Sequence, residues 1–85
     1  MRIIHKEVIQ ICTRQVLRLP NSAIIRKVGM QGDKYCIWYE FEQVDTKTKD
    51  IIIHIVGTGH PEIANSWNYL DSIIDGGFVW HLYSS

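Results

Sequence analysis

Apolar and polar side chains alternate with a period of two residues through most of this 85-residue chain. The clearest segments are 35–41, 51–56 and 78–83, which are rich in β-branched and aromatic residues. A two-residue period places alternate side chains on opposite faces of an extended strand, whereas an amphipathic helix needs a period near 3.6. The pattern therefore predicts a chain built from strands and argues against a helical bundle.

Turn signals divide the remainder of the chain into further short strands. These predicted strands, separated by polar or glycine-containing turns, are residues 2–11, 14–19, 23–30 and 69–74. A chain of this length has room for one domain, so residues 1–85 are predicted to form a single unit. We predict a mainly β fold, a small antiparallel sandwich or partly open barrel of six to seven strands.

Two connections and two cysteines complete the structural expectations. Residues 43–50 are polar and predict a solvated loop, whereas residues 61–68 predict the one short helical element, because Pro61 suits a first helical position. Cys12 and Cys36 are too few for a disulfide scaffold, so we expect two reduced, buried thiols.

The charge balance excludes several classes of partner. Nine basic residues offset nine acidic ones, which argues against a general DNA or RNA binder and against a polybasic membrane-surface protein. No apolar run approaches the roughly 20 residues that span a bilayer. Charge follows directly after Met1, with no apolar signal segment, so we expect a cytoplasmic protein.

The motif Gly57-Thr58-Gly59-His60-Pro61 follows a predicted buried strand. Two glycines separated by one residue allow successive N–H groups to turn inward, and such groups form an anion-binding concavity. Thr58 adds a hydroxyl group, and His60 can donate to a phosphate. The motif lacks the Gly-Lys-Ser/Thr ending of a P-loop, which excludes that class of NTPase site. A tight turn that merely leaves the strand is the alternative interpretation.

A second motif, Val79-Trp80-His81, follows the Gly76-Gly77 turn. Trp80 and His81 point to opposite faces of the predicted strand, so either can be a core residue while the other lines a groove. Trp80 or Trp38 is a candidate to stack on a base, and His81 is a candidate hydrogen-bond donor. The alternative is that these rings belong to the core or to an interface between subunits.

The histidine spacing matches no recognised zinc pattern, and no nucleophile elbow is present, so we predict no metal, no cofactor and no catalytic residue. Acid–base catalysis by His60 and His81 remains an alternative. No Lys or Arg follows Lys49, so cations for an anionic ligand must come from the first half of the chain or from another subunit. Arg18 and Arg26 are the candidates.

The small size of the chain also favours self-association. A fold of 9.9 kDa buries only about two thirds of its unfolded surface. Ligand pockets typically occupy roughly 300–1,000 Å³, and a chain this small can hardly enclose such a volume and also fill its own core. We therefore expect a homo-oligomer with its pocket between subunits.

Four segments together resemble a family of small uncharacterised bacteriophage proteins. They are Leu19–Ile25 (Leu-Pro-x-x-Ala-x-Ile), Cys36–Tyr39, Gly57–Pro61 and the C-terminal Val79–His81, and the resemblance covers nearly the whole chain. The segment between His60 and Tyr69 varies in length in that family, which weakens Trp67 as a site residue. The resemblance implies a phage setting, in which small accessory proteins often inhibit bacterial immunity.

These observations lead to one main hypothesis and two alternatives. The main hypothesis is a phage-type anti-defence binding protein, not an enzyme, that acts in the host bacterial cytosol. It would sequester a nucleotide immune signal, either a cyclic oligonucleotide or an ADP-ribose-derived molecule, without cleaving it. The alternatives are a protein-interaction module that inhibits a host protein and a small hydrolase of the same signals.

Overall fold

The computed structural model describes residues 1–85. Its seven strands are β1 (Arg2–Ile9), β2 (Arg14–Pro20), β3 (Ile24–Gln31), β4 (Lys34–Glu42), β5 (Thr48–Gly57), β6 (Asn68–Asp75) and β7 (Phe78–Ser84). They form a three-stranded first sheet of order β1-β4-β3 and a four-stranded second sheet of order β2-β5-β7-β6. Every strand pair is antiparallel. The predicted mainly β class and the small antiparallel sandwich of six to seven strands are therefore confirmed.

The core lies between the two sheets and draws on the inward residues of both. In β4 the period of two buries Ile37, Tyr39 and Phe41 on one face. Ile53 of β5 and Leu82 of β7 oppose them from the second sheet, and both are fully buried. Burial of one such side chain contributes about 1.5–3 kcal/mol, so these inward-facing residues stabilise the contact between the two sheets.

The expected helical turn within residues 61–68 is absent. Residues 61–67 form an irregular connection, in which the Trp67 N–H donates to the Ala64 carbonyl at 3.1 Å. An isolated helical turn is costly to nucleate, and here the indole of Trp67 instead anchors the connection by stacking on His54. The structure contains no helix with the length and hydrophobicity needed to span a membrane.

The polar loop predicted at residues 43–50 is shorter than expected. Thr48–Asp50 already belong to β5, where Asp50 pairs with Arg18 of β2. The carboxylate of Asp45 accepts hydrogen bonds from the N–H groups of Ser22 and Lys47, which lower its pKa and fix the remaining turn. Cross-strand pairing can thus include polar residues that sequence patterning assigns to a loop.

The two cysteines differ in environment. Cys36 is fully buried, as predicted, but Cys12 is exposed, so the prediction of two buried thiols is wrong for Cys12. Cys12 lies in the connection between β1 and β2, where the chain passes from one sheet to the other at the surface.

The feature that positions the candidate site is the unequal length of β5 and β2. Their ladder ends at the pair Arg14–His54, followed by one bond from the Ile55 N–H to the Thr13 carbonyl at 3.2 Å. β5 continues to Gly57, and over these last residues its strand partner is β7 alone. The far edge of β5 is therefore open beside Val56 and Gly57.

Candidate functional site

Two adjoining cavities wrap the open edge of β5, and we call them together the groove. The first cavity has a volume of about 380 Å³ and the second about 290 Å³. Four residues line both: Thr13, Ile55, His60 and Glu62. The first volume lies within the range that small-molecule sites occupy, roughly 300–1,000 Å³, and the second lies just below it. The groove is thus the best candidate binding site within one chain.

The first cavity lies toward the inner face of the second sheet and is lined by Gly57 and Trp80, among others. A Cβ added at Gly57 would lie 3.4 Å from Cζ3 of Trp80 and 3.6 Å from Nε2 of His60. Any larger side chain would occupy the space between these two rings. These distances show that His60 and Trp80 approach Gly57 from the same side.

The turn after β5 directs His60 toward that point. The N–H of His60 donates to the Gly57 carbonyl at 3.2 Å, and Gly59 has a φ of +90°. Residues other than glycine rarely adopt a positive φ, so the turn requires a glycine at position 59. The motif is thus a tight turn and also a wall of the groove.

Thr58 and His81 lie on the outer face of the second sheet. The Oγ1 atom of Thr58 and Nε2 of His81 are hydrogen-bonded at 2.9 Å, and Nδ1 of His81 hydrogen-bonds the Tyr69 hydroxyl at 3.2 Å. The imidazole of His81 therefore connects Thr58, at the start of the 58–67 connection, to Tyr69, the second residue of β6. This arrangement fixes both ends of the segment that carries His60, Glu62 and Trp67.

The second cavity lies toward the outer face and is lined by His54, Trp67 and Arg14. The rings of His54 and Trp67 are stacked, with centroids 3.7 Å apart and planes inclined by 9°. Nε2 of His54 also hydrogen-bonds Oγ of Ser85 at 2.8 Å. Burial first, and the nearby charge of Arg14 second, lower the pKa of His54.

This pKa shift predicts that the protein loses stability under mildly acidic conditions. The unfolded chain binds a proton at His54 before the folded protein does, because burial and Arg14 disfavour the charged ring. The contribution is fully present above the pKa of an unfolded histidine, about 6.5, and is lost as pH falls through the lower folded pKa. Urea denaturation between pH 7.5 and 4.5 measures the loss.

The matched control for this prediction is His54→Gln, which keeps a hydrogen-bonding side chain but does not titrate. Its free energy of unfolding is expected to change less with pH across the same range. Glu40 and Asp45 also have lowered pKa values, so their contributions are lost at more acidic pH and in both proteins. Identical pH profiles for the two proteins would contradict the assignment to His54.

Arg14 and Glu62 are the charged side chains that line the groove, and sequence reasoning missed both. Arg14 and Glu62 line the second cavity without forming an ion pair with each other or with any other residue. Arg14 reaches the groove because the pairing of β2 with β5 places it opposite His54, and the sequence does not specify this register. Trp67 had one usable signal, since a tryptophan within a polar connection needs a surface to pack against.

The two arginines proposed from the sequence lie outside the groove. Nε of Arg18 lies 3.1 Å from a carboxylate oxygen of Asp50, and Nε of Arg26 lies 3.4 Å from one of Glu40. Trp38 is half-buried on the first sheet, opposite Lys6 and Lys27 in register. Within one chain, these three residues are not close to the Gly57 turn.

The structure therefore divides the sequence candidates into three groups. Gly57, His60 and Trp80 meet in the first cavity, with Gly59 in the turn between them. Thr58 and His81 are joined by a hydrogen bond behind the groove. Arg18, Arg26 and Trp38 lie elsewhere. No three His, Cys, Asp or Glu side chains cluster in a way that could hold a metal ion.

The groove combines aromatic rings with one cation, one carboxylate and one exposed imidazole. Such a set can stack on a planar group, bind one anionic group and hydrogen-bond hydroxyl groups. Among known proteins, one family model, described as Domain of unknown function (DUF7352), matches residues 1–85, so the chain belongs to this family. No curated protein and no solved structure shows significant similarity to the chain.

Proposed function

We propose that this member of the DUF7352 family is a binding protein that sequesters a nucleotide-type ligand in the groove. The observation that carries the proposal is the convergence of Trp80, His60 and Arg14 on two adjoining cavities at the open edge of β5. A nucleotide offers a planar base, a sugar and an anion, and the groove supplies a partner for each. From the resemblance to phage proteins we take the proposed biological role, which is that of an anti-defence protein that removes an immune signal in the host cytosol.

Individual groove residues have separate roles in this proposal. Trp80 stacks on the base in the first cavity, where stacking on an aromatic ring contributes about 1–3 kcal/mol. Arg14 binds the phosphate from the second cavity, and it is free to do so because no carboxylate pairs with it. Arg14 thus replaces Arg18 and Arg26 as the cation supplied within the same chain.

Self-association completes the proposal. Several apolar side chains around Trp38 on the first sheet are exposed, among them Ile4, Val8 and Ile24. A second copy of the chain would bury these residues and gain free energy from the apolar area removed from water. The proposed pocket between subunits requires Trp38 or an arginine of a neighbouring chain to face the open side of a groove.

A small hydrolase of the same signals is the second candidate function. Its support is the 2.8 Å contact between Oγ of Ser85 and Nε2 of His54. The lowered pKa keeps the imidazole of His54 neutral near pH 7, the form that accepts a proton from a hydroxyl group. Product formation separates this candidate from sequestration.

The test is a release experiment with purified protein. Cyclic di-AMP, cyclic tri-AMP and ADP-ribose are each incubated with excess protein, and the free ligand is measured by chromatography before and after heat denaturation. We expect at least one ligand to disappear and to return intact. A new product would support the hydrolase instead. Ligands that stay free throughout would contradict the proposal and direct the search toward a host protein partner.

A further inference from the structure

The charges in the groove differ from those of a simple phosphate site. Arg14 and Glu62 line the same second cavity but make no ion pair, and Glu62 extends into the first cavity with His60. A site built for phosphate alone gains nothing from a carboxylate, because like charges at short distance repel. Glu62 therefore indicates a neutral, hydrogen-donating part of the ligand between the two cavities.

From this arrangement we infer that the groove selects a ligand with a free vicinal diol of ribose, held by Glu62, beside a phosphate held by Arg14. The inference rests on the proposed function and narrows the ligand class. The two oxygens of a carboxylate can accept one hydrogen bond from each hydroxyl of a diol. Bonds to a charged acceptor are the stronger ones, and acidic residues recognise ribose hydroxyls in dinucleotide-binding folds by the same chemistry.

The position of each residue orients the ligand along the groove. Arg14 lines the second cavity, whereas Glu62 and His60 line both, so the sugar lies at the junction and the phosphate lies toward the second cavity. The rest of the ligand extends into the first cavity, against Trp80. His60 beside Glu62 supplies an imidazole that can donate to or accept from a sugar oxygen.

This chemistry separates the two ligand classes left open by the sequence. In a 3′,5′-linked cyclic oligonucleotide each 3′ oxygen forms part of a phosphodiester, so no free vicinal diol remains. ADP-ribose and its derivatives with free ribose hydroxyls keep the diol and also contain phosphate. The groove of one chain therefore fits the ADP-ribose class better than the cyclic oligonucleotide class.

The experiment measures the affinity of ADP-ribose and of 3′,5′-linked cyclic di-AMP by calorimetry for the wild type and for Glu62→Gln. We expect ADP-ribose to bind the wild type, and Glu62→Gln to weaken that binding by about 10- to 100-fold, because one charged acceptor is lost. Glu7→Gln is the matched control, since it removes the same charge from β1, outside both cavities. This control is expected to keep wild-type affinity.

Different failures lead to different conclusions. Binding of cyclic di-AMP without binding of ADP-ribose would overturn the diol assignment while leaving nucleotide binding in place. Unchanged ADP-ribose affinity in Glu62→Gln would overturn the role of Glu62 alone. If the wild type bound neither probe, the inference would be wrong, and the proposed function would be wrong as well if cyclic tri-AMP also stayed free in the release experiment.

Discussion

Replacement of Ile73 by alanine is expected to lower the free energy of unfolding by about 2–5 kcal/mol. Ile73 lies in β6 with 2% of its side chain exposed and packs in the core between the sheets. The substitution loses the transfer free energy of the removed methyl groups and leaves a cavity. Domains of this size have a total stability of only about 5–15 kcal/mol, so much of it would be lost.

The adjacent residue provides a matched control. Ile74 follows Ile73 in the same strand but is 71% exposed, so Ile74→Ala removes the same atoms from the surface. It is expected to change the free energy of unfolding by less than about 0.5 kcal/mol. Urea denaturation followed by circular dichroism measures both variants. Equal effects, or a larger effect at Ile74, would contradict the register of β6, because a shift of one residue exchanges the two faces.

The second large effect is expected on ligand binding at the groove. For the nucleotide that the release experiment identifies, His60→Ala and Trp80→Leu are each expected to weaken affinity by about 10- to 100-fold, since a stacking or hydrogen-bonding partner is lost. His60 is exposed, so its variant should fold normally, and Trp80 is half-buried, so its variant also loses some stability. Calorimetry on samples checked by circular dichroism measures the affinities.

One control variant and one test of the neighbouring chain make this result specific. His5→Ala removes a histidine from β1, away from the groove, and is expected to bind normally. Trp38→Leu removes a half-buried tryptophan from the first sheet and matches Trp80→Leu in lost packing. Retained affinity in both groove variants would contradict the site. Lost affinity in Trp38→Leu would mean that a neighbouring chain completes it.

Sequence reasoning predicted the core more completely than the site. The two-residue period predicted the strands that form the core, and in β4 it places Ile37, Tyr39 and Phe41 on one face, which the structure buries. The glycine motif correctly placed His60 beside a glycine turn, since a positive φ at Gly59 is also a local requirement. Trp80, which lies beside that turn, belongs to β7, and the sequence singled it out through the separate motif Val79-Trp80-His81.

The charged residues of the groove could not be predicted in the same way. The sequence does not distinguish Arg14 from Arg18, because both are arginines on the same face of β2. The difference arises because Arg18 is opposite Asp50, which pairs with it, whereas Arg14 is the first residue of β2 and is opposite His54. Pairing register and strand length decide which arginine remains available, and neither is a property of one segment.

The strand content and the turn at Gly59 follow from the sequence, because a two-residue period and a positive φ are both local requirements. The extension of β5 beyond β2, and the meeting of Arg14, Glu62 and Trp67 at its open edge, arise only in the folded protein. So does the packing of the 61–67 connection on His54, which takes the place of a helical turn. These features depend on contacts between residues far apart in the chain, whose free energies exist only after the sheets have formed.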